Sequence, residues 1–148
     1  MKNTIHWIFG GTAVGKKTYI KQMVANTSDL KAFWVEDGDK NINDLLGEVD
    51  SQSIVVRWQW SREHVLAKIA ATHQEIHQEI HLVHTAPEVQ KSRSDSRETK
   101  LFGTNEETGE VIELRPISML ADESRGVRWL ALGLAADYSI PFHSIDVT

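Results

Sequence analysis

Short apolar runs and stretches of helical apolar spacing alternate along the chain. Residues 5–9 (Ile-His-Trp-Ile-Phe) are mainly β-branched or aromatic and stop at Gly10-Gly11, the pattern of a buried parallel strand entering a tight turn. Over residues 15–25, Tyr19, Ile20, Met23 and Val24 fall at helical spacing until Asn26-Thr27-Ser28-Asp29 interrupts them. Residues 32–35 predict a second strand, closed by Glu36-Asp37-Gly38-Asp39, and a short helix from Asn41 or Asn43 to Val49 follows. A third strand is predicted over 53–60. Ser61 is a suitable N-cap for the next helix, with His64 at the capping-box position, and Val65, Leu66, Ile69 and Ala70 carry that helix to about His77. Residues 80–84 read as a fourth strand. Pro87 then suits the first turn of a helix over 88 to about 97. Residues 100–115 read as a hairpin turning at 105–109, residues 119–138 as a long helix rich in Ala and Leu, and residues 140–147 as a last strand. Strands alternating with helices predict an α/β domain with a parallel sheet.

Composition narrows this picture only a little. A chain of 148 residues fits a single domain, 1–148, and no linker composition divides it. The absence of Cys excludes disulfide frameworks, thiolate zinc sites and thiol nucleophiles. Sixteen basic against 21 acidic residues give a net charge of −5, which argues against a general nucleic-acid or membrane-surface binder while leaving room for a local basic cleft. The apolar run at residues 5–9 is shorter than the roughly 7–15 residues of a secretory core or the about 20 of a membrane helix. A cytoplasmic, nucleotide-rich location is the expectation.

The strongest chemical signal is Gly10-Gly11-Thr12-Ala13-Val14-Gly15-Lys16-Lys17-Thr18. It holds Gly-x-x-x-x-Gly-Lys between a predicted strand and a predicted helix, the context that a P-loop requires. Glycines let backbone N–H groups turn inward around phosphate oxygens, and the helix N-terminus adds partial positive charge. Lys16 would reach the β- and γ-phosphates. Lys17 stands where the general pattern has Ser or Thr, and Thr18 follows one position later. The predicted third strand, which contains Arg57, lacks the acid that commonly closes the corresponding strand of such sites.

With its threonine displaced by one position, the loop resembles that of nucleoside monophosphate kinases and related small-molecule kinases. Asp37-Gly38-Asp39 followed by Ile42 resembles the Asp-x-Asp-x-x-Ile element of shikimate-kinase-like enzymes, with Asn43 where that family often has Glu. Glu88-Val89 with Arg93 and Arg97 resembles the arginine-bearing lid of these kinases, and residues 140–147 resemble their last core strand. The resemblance implies a three-layer P-loop NTPase fold. Its mainly parallel five-stranded sheet would be flanked by helices, with a small lid or hairpin insertion at about 88–116. It also implies ATP (or GTP) and Mg²⁺ as cofactors, and a small-molecule phosphoryl acceptor, most readily a nucleotide, deoxynucleotide or nucleoside. Thr18 and Asp37 would serve the metal. Lys16, Asp37, Asp39, Arg93 and Arg97 would serve the chemistry.

Ligands of open α/β sheets bind at the carboxyl ends of the strands, where the loop from Gly10, the Asp37/Asp39 pair and the segment from Arg57 to Arg62 all fall. Asp37 or Asp39 would accept a proton from an acceptor hydroxyl or hold hydrated Mg²⁺, and the residues do not say which does which. Arg93 and Arg97, four apart, share a helix face and would clamp the transferring group. Arg125 and Arg128 are reserve phosphate contacts. Trp7, Trp34 and Trp129 read as core; Trp58 and Trp60 share a strand face and also read as core, with a stacking role at the acceptor pocket as the other use of that pair. The near-repeat His73-Gln74-Glu75-Ile76, His77-Gln78-Glu79-Ile80 is followed by His81. On a helix His73, His77 and His81 would share a face as metal ligands do, but a strand from Ile80 breaks that face, so no metal is assigned there. The second functional class is a nucleotide-binding module without efficient transfer, favoured by Lys17 and by the missing acid.

Overall fold

A computed structural model describes residues 3–11, 14–33, 42–57, 63–102 and 117–147; for 33, 42, 63, 64, 95–102 and 117 it describes the backbone alone. The elements in chain order are β1 (Thr4–Phe9), α1 (Lys16–Asn26), β2 (Leu30–Phe33), α2 (Ile42–Ser51), β3 (Ser53–Arg57), α3 (Glu63–Thr72), β4 (His77–His84), α4 (Pro87–Phe102), α5 (Ile117–Tyr138) and β5 (Phe142–Asp146). The five strands form one sheet in the order β2-β3-β1-β4-β5, and every pairing is parallel. The predicted α/β class with a parallel five-stranded sheet is therefore what the chain adopts.

Chirality decides which helix lies on which face. Crossovers between parallel strands are right-handed. The step from β1 to β2 runs one way along the sheet, while β2 to β3, β3 to β4 and β4 to β5 all run the other way. Hence α1 lies on one face and α2, α3 and α5 on the opposite one. The two cores follow this division. Ile5, Trp7, Phe9, Ile54, Val56, Ile80 and Leu82 pack against Leu45 and Val49 of α2, Leu66 and Ile69 of α3, and Val127 and Ala131 of α5. Ile8, Val55 and Val83 pack against Ile20 of α1. Each such fully buried aliphatic side chain contributes roughly 1.5–3 kcal/mol. No helix among the described residues is long and apolar enough to cross a membrane.

Four expectations need correction. The third helix stops at Thr72 and β4 starts at His77, where a helix to His77 and a strand from Ile80 were expected. Thr4 pairs with His77 and Ile5 with Gln78, so ladder bonds to the central strand extend β4 backward through a polar stretch. Trp7 buries Gln78 by donating its indole N–H to Oε1 at 2.8 Å. Second, α4 runs to Phe102, so residues 100–102 are helical rather than the start of a hairpin; the rest of that hairpin lies outside the described residues. Third, Trp129 is 77% exposed instead of core. The buried positions of α5, Leu120, Val127, Ala131 and Leu134, define one stripe, and Trp129 sits about 200° round the helix from Val127. Fourth, β2 starts at Leu30, two residues before the expected start, and the expected last residues 34–35 lie outside the described residues. Trp7 is fully buried as expected, while Trp34, Trp58, Trp60 and Ser61 lie outside the described residues.

Candidate functional site

The loop after β1 leaves the middle of the sheet, where neighbouring crossovers diverge and a crevice opens at the strand ends. Its glycines have steric reasons to be glycine. A Cβ on Gly10 would stand 2.9 Å from the Val83 carbonyl oxygen and 2.6 Å from Val14 Cγ2, so the chain passes too close to β4 for any side chain. Gly15 has φ of 100° and forms the N-cap of α1 in the left-handed region, and no side chain caps the helix. The first-turn N–H groups of α1 therefore point into the crevice with no capping oxygen from Gly15. Lys16 folds back, its Nζ donating to Gly10 O at 2.7 Å.

A cavity of about 780 Å³ opens over this turn. Val14, Gly15, Lys16, Lys17, Thr18, Tyr19 and Gln22 line it from the loop and α1, Arg57 from the end of β3, Arg93 from α4, and Val147 from beyond β5. Among the described residues lining it, four are basic and none is acidic, in a chain whose net charge is −5. Arg93 reaches the turn directly, its guanidinium donating to Val14 O at 3.3 Å and standing where a Gly15 Cβ would meet it at 3.3 Å. Burial pushes the Tyr19 phenol up from its ordinary pKa. The first-turn N–H groups of α1 and the guanidinium and ammonium groups beside them are donors of the kind that suit a polyanion.

Of the residues singled out in the sequence, the fold brings together Gly10, Val14, Gly15, Lys16, Lys17, Thr18 and Arg93. Gly11 faces a second cavity, of about 260 Å³, lined also by Thr85, Gln90, Ser124, Arg125 and Arg128. The reserve arginines thus gather beside Gly11, not in the larger cavity, and Arg125 is ion-paired to Asp122. The backbone of Arg97 lies on α4, one turn beyond Arg93, while its side chain lies outside the described part, as do Thr12, Ala13, Asp37 and Asp39 entirely. Arg57 and Gln22 received no individual role from the sequence. Arg57 falls in the segment to Arg62 that the sequence places at the ligand-binding strand ends; Gln22 depends on how α1 is rotated over the sheet.

No family model and no curated protein matches the chain. Chains of known structure do, among them a crystal structure from Chloroflexus aurantiacus described as a "putative kinase". The two share 14% identity and superpose with a TM-score of 0.60 over 100% of this chain and 90% of that one. At that identity the likeness concerns the fold.

Proposed function

We propose that the chain is a P-loop phosphotransferase that moves the γ-phosphoryl group of ATP or GTP to a small acceptor, a nucleotide, deoxynucleotide or nucleoside being the first class to test. The observation that carries this reading is the Gly-x-x-x-x-Gly-Lys turn at the head of the central strand, opening into a cavity lined by Lys16, Lys17, Arg57 and Arg93. The likeness in fold to the Chloroflexus chain described as a "putative kinase" supports it. Phosphoryl transfer asks a protein mainly to position reactants, offset charge and exclude water, so a cluster of fixed cations suits it better than a strong nucleophile would. In this reading the amides after Gly15 hold the β-phosphate, Lys16 turns from Gly10 O to the β- and γ-oxygens, and Arg93 meets the transferring group. Mg²⁺, when bound, neutralises the phosphate oxygens. Thr18, which lines the cavity, and Asp37, which lies outside the described residues, would supply it with oxygen donors. Asp37 or Asp39 would accept the proton of the acceptor hydroxyl or hold hydrated Mg²⁺. The alternative, a nucleotide-binding module without efficient transfer, draws support from the sequence of residues 53–60, which contains no acid.

One experiment separates the readings. The protein is incubated with ATP, Mg²⁺ and a pool of nucleoside monophosphates, deoxynucleotides, nucleosides, shikimate and gluconate, beside Lys16→Ala and the double variant Asp37→Asn/Asp39→Asn, with products read by mass spectrometry. A new phosphorylated species made by wild type alone is the expected result and names the acceptor class. ATP binding without product moves the assignment to the binding module. Unchanged ATP affinity in Lys16→Ala refutes the phosphate loop itself.

A further inference from the structure

The right-handed crossovers leave α1 as the helix covering its face of the sheet, among the described residues. Where that cover ends, the face is polar. Period two along β4 puts His77, Glu79 and His81 on it, the same repeat that a helix would have arranged as His73, His77 and His81. Parallel register brings His6 opposite Glu79 and His143 opposite His81. His143 Nε2 lies 2.6 Å from Glu79 Oε1, His6 Nδ1 lies 3.0 Å from His81 Nε2, and His6 Nδ1 lies 3.8 Å from Glu79 Oε2. The rings of His81 and His143 stack with centroids 4.8 Å apart.

We infer that Glu79, His81 and His143 form a binding site for one divalent transition-metal ion of the zinc type, with His6 facing its fourth side. One donor atom from each of the three ligands falls within 4.8 Å of the others. Donor atoms around tetrahedral zinc stand about 3.3 Å apart, given bonds of roughly 2.0–2.1 Å, so the set needs small adjustments rather than rebuilding. Two imidazoles and a carboxylate suit Zn²⁺, Co²⁺ or Ni²⁺ better than Mg²⁺ or Ca²⁺, which prefer oxygen. The outer contacts match as well. Tyr19 Oη lies 3.3 Å from His81 Nδ1, orienting that ring and leaving Nε2 toward His6 and the other donors. The ion would tie edge strand β5 to β4 on the face that no second helix covers among the described residues. The site meets the larger cavity at Tyr19, which lines that cavity and also contacts His81, and its test does not depend on phosphoryl transfer.

Chelator-treated full-length protein is titrated with Zn²⁺ by calorimetry and with Co²⁺ by visible absorption, which reports tetrahedral nitrogen and oxygen ligation without thiolate interference in a chain free of Cys. The expected result is one equivalent bound, a tetrahedral Co²⁺ spectrum, and a loss of affinity of at least about tenfold in His143→Ala and in Glu79→Gln. His143 is 44% exposed on an edge strand, so its variant should fold, which circular dichroism checks. His84→Ala, on the opposite sheet face, should bind as wild type does. Absence of saturable Zn²⁺ binding, binding unaltered in His143→Ala, or equal loss in His84→Ala each overturns the assignment.

Discussion

Trp7 is the largest buried side chain among the described residues, and one glutamine determines what its burial requires. The indole N–H would be a stranded donor on an apolar sheet face; Gln78, 6% exposed, accepts it at 2.8 Å and passes its own Nε2 to Leu66 O at 3.4 Å. Trp7→Phe removes the donor and part of the packing, leaving Gln78 buried with an unmet acceptor. A loss of about 1–3 kcal/mol is expected in urea unfolding, with much of it recovered when Gln78→Met is added, because two apolar partners leave no polar group unsatisfied. The burial of Trp7 was legible in its apolar run. Gln78 was not, because within a repeat of His, Gln and Glu nothing local distinguishes a core glutamine from a solvated one.

Among the elements, α4 carries the most specific consequence. Starting at Pro87, it brings Arg93 across to the turn before α1, where the guanidinium donates to Val14 O. Arg93→Ala should weaken ATP binding by about tenfold, near 1.4 kcal/mol, and Arg93→Lys should recover only part of this because a point charge lacks the planar fork. Fluorescence titration with a labelled ATP analogue would read both; an unchanged affinity would remove Arg93 from the phosphate site. The same scale shows why β4 was read too short and Trp129 was read as buried. A strand's start depends on its ladder partner, here Thr4 against His77, and a helix's buried stripe depends on which neighbour it meets. Neither partner is adjacent in sequence.

For the whole molecule, a ligand that binds only the folded state raises stability by mass action. ATP at 100 times its dissociation constant should add about 2.7 kcal/mol, read as a rise in unfolding temperature, and the rise should vanish in Lys16→Ala. Taken by itself, the sequence determined the alternation of strands and helices, and with it the α/β class, because those periods are local properties of the backbone. It also determined the tight glycine turn before α1, because Gly10 and Gly15 are needed by the chain's own conformation and closeness of approach. Tertiary structure alone decided the strand order and, through the handedness of crossovers, that α2, α3 and α5 share one face while α1 lies on the other. It alone gathered Arg57 and Arg93 around the turn and set His143 beside Glu79 and His81, residues far apart in the chain that only parallel register brings together. Local sequence encodes torsions and periodicity; which distant side chains meet is set by pairing and packing over the whole sheet.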